Sequence, residues 1–259
     1  MTTTKPSLWR PVEKNAHRPK AALWARFGSL RQAATFQASR TSPGMNHHDE
    51  QLLQLLRERL SSDQLPGVEA QNTMIPPMRG LYSTPSATAR KASVLALLYP
   101  IDGQLQLLYI QRTSSPNDRH AGQISFPGGS AELTDKDAGA TALRETEEEV
   151  GIPRSSITLL GALTPLYIPV SNFMVDPFVG FLPERPSFVL QETEVARVLE
   201  LPFTEFLSQH ARKVGPRKLA SGMTLRDIPY WHVRGEEVWG ATSMMTAELI
   251  ALVKERRIE

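Results

Sequence analysis

Apolar residues follow two rhythms along this chain, a period near 3.6 that marks helices and unbroken runs of strand length. From Glu50 to Leu60, Leu52, Leu53, Leu56 and Leu60 form one helical stripe, with Asp49 near its N-terminus. Ser93–Tyr99 and Gln104–Gln111 are apolar runs sized for strands, and Pro100-Ile101-Asp102-Gly103 between them reads as a hairpin turn. Ala138 to Val150 is helical and stops at Gly151, with Pro153 just beyond. Leu143 and Val150, with the small Gly139 in line, form the face expected to bury that helix. Ile157–Leu163 and Phe173–Leu182 read as strands, the second bent at Pro177, with a loop over Pro165–Asn172 between them. A short helix over Thr204–Gln209 and short strands over Lys218–Ala220 and Tyr230–Val233 follow. The last helix has an apolar face of Met245, Leu249, Leu252 and Val253. Residues 61–90, punctuated by Pro66, Gly67, Pro76, Pro77, Gly80 and Pro85, read as a loop that wraps the domain or covers a site.

Composition narrows the class. At 259 residues with 41% hydrophobic and 22% charged, the chain reads as an ordinary globular protein with ample core. No apolar run approaches the roughly 20 residues of a membrane helix, so no membrane partner is expected. With no cysteine, disulfides, thiolate metal sites and a cysteine nucleophile are excluded. Residues 1–44 hold eight of the 29 Lys/Arg and one of the 27 acids, leaving 21 basic residues against 26 acidic in the body. An acidic body argues against nucleic acid as a partner. The tail lacks periodicity and reads as a basic, disordered extension or, being Arg-rich and acid-poor, as a mitochondrial transit segment. Met45 is the expected functional start. The expected organisation is the extension over 1–44, a helix and wrapping loop over 45–90, and the main domain over 91–259. The expected location is cytoplasmic, or mitochondrial if the tail is a transit segment.

The chemistry concentrates in the helix at Ala138–Val150. Glu145, Glu148 and Glu149 share one face, while Glu147 points away. Three carboxylates at one helix end repel one another and oppose the helix dipole, which is costly unless a cation sits among them. Hard oxygen ligands of this kind suit Mg²⁺ or Mn²⁺. Elsewhere the signals are weaker. Arg79 is a substrate contact or a plain surface arginine, His47 and His48 read as solvated, and Trp231 and Trp239 read as packing, though either could meet an adenine.

The run Arg144-Glu145-Thr146-Glu147-Glu148-Glu149-Val150-Gly151-Ile152 resembles the second half of the Nudix box, and Gly129 resembles its leading glycine. The spacing is one residue longer than usual, Asp135 stands where a Glu is common, and Thr146 replaces an apolar residue. The longer spacing is similar to the coenzyme A pyrophosphatase branch. Glu132 and Asp135 fill that branch's acidic positions, and Thr141-Ala142-Leu143-Arg144-Glu145 matches its TALRE run. Leu108 to Arg112, then Arg119, then Gly122 to Gly129 match its upstream pattern. A Glu-rich helical run alone is ordinarily a solvated face; the glycine turn, acidic turn and glycine stop in register weigh for function.

The resemblance implies an α/β/α sandwich around a mixed sheet, with the box as a loop–helix–loop at one edge. It implies a pyrophosphohydrolase with Mg²⁺ or Mn²⁺ held by Glu145, Glu148 and Glu149. Arg144 would orient a ligand carboxylate through a bidentate pair, and Gly128 and Gly129 would admit the phosphates closely. Glu194, or failing it Glu192, would supply an acid that reaches the metal or serves as base. Arg112 and Arg119 would hold the 3′-phosphate of a coenzyme A substrate. Other substrates (ADP-ribose, NADH, a damaged nucleoside triphosphate) and a non-catalytic nucleotide-binding module are the alternatives. Intact Glu145, Glu148 and Glu149 argue against the last. A homodimer is among the allowed states.

Overall fold

A computed structural model describes residues 45–62, 64–77, 84–114, 120–219 and 222–254. The two longest apolar runs form its centre. Strands β1 (Arg90–Ile101) and β2 (Gln104–Arg112) make a hairpin whose turn is Asp102-Gly103, both with positive φ. Pro100 therefore belongs to the strand, opposite Leu105, and not to the turn.

Short strands β3 (Ile124–Ser125) and β4 (Gly128–Ser130) pair with β2 and β1. Helix α1 (His47–Leu60) precedes the hairpin, α2 (Gly67–Asn72) lies between, and α3 (Ala138–Val150) follows β4. Strands β5 (Thr158–Ala162) and β6 (Leu166–Ile168) both run antiparallel to β7 (Phe173–Phe181), which is parallel to β1. Strand β8 (Val195–Pro202) pairs with β2. Among the described residues this makes one mixed sheet of eight strands.

The central strands are buried on both faces, which is why they read as continuous apolar runs. Ala96 and Leu98 of β1, with Leu105, Leu107 and Tyr109 of β2, pack with α1 and the last helix, α4 (Gly240–Val253). Leu95, Leu97 and Tyr99, with Leu108 and Ile110, pack on the other side with Ala142 and Val150 of α3. Alternation along each strand thus builds an α/β/α sandwich, the expected fold class. Helix α3 lies across the face of β1 and β4 rather than at an edge.

A second sheet of β9 (Arg212–Lys218), β10 (Thr224–Val233) and β11 (Glu236–Trp239) replaces the two short strands expected there. The short helix after β8 is a 3-10 turn over Phe203–Leu207. Other elements escaped the sequence pattern, among them β6, a strand inside the expected Pro165–Asn172 loop. Strand β8 fills what reads as loop before Pro202, and α2 interrupts the loop-rich 61–90 run. The apolar face of α4 also widens, since Thr242–Ile250 are all buried.

The entry segment is tied into the same core. Asn46 caps α1 by accepting the Asp49 amide at 2.9 Å, and its own amide donates to the Gly103 carbonyl at 2.7 Å. The Asp49 carboxylate in turn accepts the Leu105 N–H at 2.6 Å, so helix and hairpin fix each other. Residues 1–44 lie outside the described residues. No helix among the described residues is long and apolar enough to cross a membrane.

Candidate active site

Helix α3 begins where Asp137 accepts the Ala140 N–H at 2.8 Å and ends at Gly151, whose φ of +75° is the left-handed region that favours glycine. Its buried stripe is Gly139, Ala142, Thr146 and Val150. Leu143, expected to share it, is only half-buried. Thr146 fits the apolar position because its hydroxyl donates to the Ala142 carbonyl at 2.7 Å. Glu147 turns outward and pairs with Arg154, which holds its carboxyl below the usual range.

The opposite turn of the helix presents Glu145, Glu148 and Glu149 to a cleft of about 190 Å³, lined also by Gln191 and Glu194. The three are unequally buried, with side-chain exposures of 15%, 54% and 3% respectively. Glu149 accepts the Gly128 N–H at 2.8 Å, and Arg112 Nη1 stands 3.8 Å from its other oxygen. Burial outweighs both and pushes its pKa up to about 8, with Glu145 and Glu194 adding repulsion. Burial also raises Glu145, against the pull of Arg144.

The glycine pair sets how closely β4 meets these acids. A Cβ on Gly128, where φ is +151°, would overlap the Ser93 carbonyl of β1. One on Gly129 would overlap the Glu145 carboxylate and could be accommodated only by pushing that group out of place.

Arg144 contacts the box carboxylates as expected, but through single hydrogen bonds. Its bidentate pair is with Asp135, Nε to Oδ1 and Nη2 to Oδ2 at 2.9 Å each, and not with a ligand carboxylate. Nη2 also donates to the Ser130 carbonyl at 2.9 Å. Nη1 then reaches Glu145 at 3.0 Å and Glu148 at 2.9 Å. The guanidinium is buried, so it is a positioning group that clamps the box loop to the helix and aims two carboxylates at once. Asp135 has its pKa held well below the carboxylate range, chiefly by the Arg144 hydrogen bonds.

Glu194 reaches the cleft through the end of α3. The Val189 N–H donates to the Val150 carbonyl and the Gln191 N–H to the Glu149 carbonyl, both at 3.0 Å, so residues 189–191 cap the helix's last turn. Glu194 and Val195 then donate to the Gln191 carbonyl, and Thr113 N–H holds the Glu194 carbonyl at 2.9 Å. Gly151 allows this docking, since a Cβ there would lie 2.7 Å from Val189 Cβ and 2.9 Å from its backbone nitrogen. Glu192 does not line the cleft. Gln191 does, and nothing in its sequence context signals it.

Arg112 sits beside Glu149. Arg119 and Arg79 lie outside the described residues. Trp231 is core, its indole N–H donating to the Ser243 carbonyl at 3.0 Å.

Among the described residues no three acidic or histidine side chains are gathered closely enough to ligate one ion as they stand, and Arg144 Nη1 bridges Glu145 and Glu148. The donor chemistry nonetheless suits a hard divalent cation. Four carboxylates face one cleft, and the most buried is compensated by a single amide and a distant guanidinium.

A family model described as the NUDIX domain matches residues 89–218. The chain is similar to the uncharacterized Nudix hydrolase NudL of Photorhabdus laumondii, 39% identical over 150 residues that cover 57% of this chain and 77% of the relative. It is also similar to the uncharacterized Nudix hydrolase NudL of Yersinia enterocolitica, 36% identical over 166 residues that cover 64% of this chain and 84% of the relative. Among solved structures, the MutT/nudix family protein from Enterococcus faecalis overlaps 70% of this chain and 71% of its own at 16% identity, with a TM-score of 0.44.

Proposed function

The chain belongs to the Nudix hydrolase family, and from that premise we propose that it cleaves the diphosphate of coenzyme A or an acyl derivative. The products would be 3′,5′-ADP and 4′-phosphopantetheine or its acyl form. Hydrolysis of a phosphoric anhydride comes with the family; the substrate is the proposal. The observation that carries it is the meeting of Glu145, Glu148, Glu149 and Glu194 in one cleft beside the two segments that resemble the coenzyme A branch. Those segments are β2, which ends at Arg112, and the run from Gly122 through β3 to Gly129, joined by the Arg112 N–H to Gln123 carbonyl bond at 3.0 Å.

Glu145, Glu148 and Glu149 are the residues that would hold Mg²⁺ or Mn²⁺. When bound, such an ion neutralises the diphosphate and lowers the pKa of a water. Arg144 keeps Glu145 and Glu148 aimed, with Asp135 as its own anchor. The Gly128 amide fixes Glu149. Arg112, beside Glu149, adds positive charge where phosphate oxygens would lie. Glu194, whose carboxylate has no hydrogen bond among the described residues, is assigned to accept the proton of the attacking water. The water oxygen bonds to phosphorus as the bridging oxygen leaves.

The test is turnover of coenzyme A, its acyl esters, ADP-ribose and NADH, each with Mg²⁺ and with Mn²⁺, with products identified by mass. Release of 3′,5′-ADP from coenzyme A at the highest kcat/KM of the panel is expected. Preference for ADP-ribose or NADH would reassign the substrate and leave the family intact.

A further inference from the structure

A cavity of about 310 Å³ opens where the two sheets meet, with Gln111, Gln123, Lys218, Glu236, Glu237 and Trp239 in its wall. Its size reaches the lower bound of small-molecule sites, roughly 300 Å³. Gln111 immediately precedes Arg112, which stands 3.8 Å from Glu149. The end of β2 thus contributes to the wall of this cavity and, one residue on, to the surroundings of Glu149, as successive residues of a strand serve opposite faces.

The wall's charges resolve into a net positive site. Glu236 is neutralised by Arg197, whose Nη1 and Nη2 each lie 2.8 Å from one of its oxygens. Glu237 pairs with Arg217 at 3.3 Å. Lys218 has no ion pair among the described residues. Arg217 is nine-tenths buried, lies 3.5 Å from the centroid of the Tyr230 ring, and has no hydrogen-bond partner for Nε or Nη2 among the described residues. Tyr230 is the cross-strand partner of Trp239, so Arg217, already paired with Glu237, and the half-exposed indole share one face of the second sheet, and Lys218 is left as the unbalanced charge of the cavity. An indole in the same wall as Lys218, the one cation there that no acid balances, suits a heterocycle that carries an anionic group.

We propose that this cavity binds a nucleoside bearing a phosphomonoester, the base against Trp239 and the phosphate on Lys218. Under the coenzyme A reading, on which the choice of nucleoside rests, this is the 3′-phosphoadenosine end of the substrate. Arg112, drawn to Glu149, is then released from the 3′-phosphate role, and Lys218 of the second sheet takes it.

Binding of 3′,5′-ADP and of AMP, measured by calorimetry on the full chain in EDTA, isolates this cavity from the metal site. The wild type is expected to bind 3′,5′-ADP about tenfold or more tightly than AMP, the share of one charge-assisted contact. Lys218→Ala should close most of that gap and Lys218→Arg should restore it. Trp239→Leu should weaken both ligands alike, by roughly tenfold, with melting temperature as the check on folding. Equal affinity of the wild type for the two nucleotides, or a gap that survives Lys218→Ala, would overturn the inference even if coenzyme A is turned over. Intact discrimination in a protein that does not hydrolyse coenzyme A would instead sink the substrate reading and keep the cavity.

Discussion

Glu149 and Glu248 are both glutamates on buried helix faces, exposed by 2% and 0% respectively, yet their surroundings differ completely. Glu248 of α4 accepts from four donors, namely the Gly67 N–H, the Gln71 side-chain amide, and the N–H and hydroxyl of Thr164. It joins α4, α2 and the segment after β5 into one polar knot. Glu149 has one amide donor and a guanidinium at 3.8 Å, with Glu145 and Glu194 as repelling neighbours. Burial is common to both, so burial alone does not mark a functional acid. Incomplete compensation does. Glu248 is built to hold the fold, whereas Glu149 is left with capacity for a cation.

Substitution by glutamine separates the two most sharply. Glu149→Gln and Glu148→Gln should each lower kcat/KM by about a hundredfold or more, the loss of several kcal/mol of charge stabilisation. Neither should unfold the protein, and wild-type-like turnover at saturating metal would remove these residues from the ligand set. Glu149→Gln also carries a pH signature in metal-free protein. Its folded pKa, about 8, lies above an unfolded value of roughly 4.3. The native state therefore holds the extra proton between those values, and stability falls as pH rises through that window. Thermal melts should show the wild type losing ground to Glu149→Gln from about pH 5 to pH 8; parallel curves would contradict the buried, undercompensated picture.

Glu248→Gln should reverse the pattern, sparing the chemistry and weakening the fold. An amide nitrogen would face the N–H groups of Thr164 or Gly67, at a cost of about 2–4 kcal/mol. Denaturant midpoints would report it, and an unchanged midpoint would mean that the knot is dispensable.

Gly151→Ala should fall between the two classes. Its positive φ costs about 1–2 kcal/mol for alanine, and the Cβ displaces Val189 and with it the turn that carries Glu194. A loss of kcat of about tenfold, largely absorbed in a Glu194→Gln background, is the expected double-mutant result. Additive effects would uncouple the helix stop from the base. The smallest effect is expected from Arg112→Ala, which removes a long, partly exposed ion pair to Glu149. It should lower kcat/KM by tenfold at most, equally for coenzyme A and dephospho-coenzyme A. A selective loss on coenzyme A would return Arg112 to the 3′-phosphate.

The same contrast explains what could be read in advance. The periodicity of α3, its glycine stop and the face shared by Glu145, Glu148 and Glu149 depend on neighbours three or four residues apart. Strand β8 hid because Arg197 and Glu200 interrupt its apolar residues, although Glu200 is satisfied at 2.8 Å by the Tyr99 hydroxyl. Strand β9, with the sequence RKVGPRK, has no apolar alternation to reveal it. Helix α2 lay between proline and glycine signals, and its stability comes from Glu248 and α4 rather than from its own six residues.

The sequence by itself determined the sandwich's central strands, the acidic helix and the glycine pair before it, because each is written within a few consecutive residues. Tertiary structure alone decided that Arg144 anchors on Asp135 while aiming Glu145 and Glu148, that Arg112 sits at Glu149, and that Glu194 rather than Glu192 enters the cleft. It also decided which buried glutamate is satisfied. These outcomes turn on desolvation and on hydrogen bonds between distant segments, and neither exists until the chain has folded.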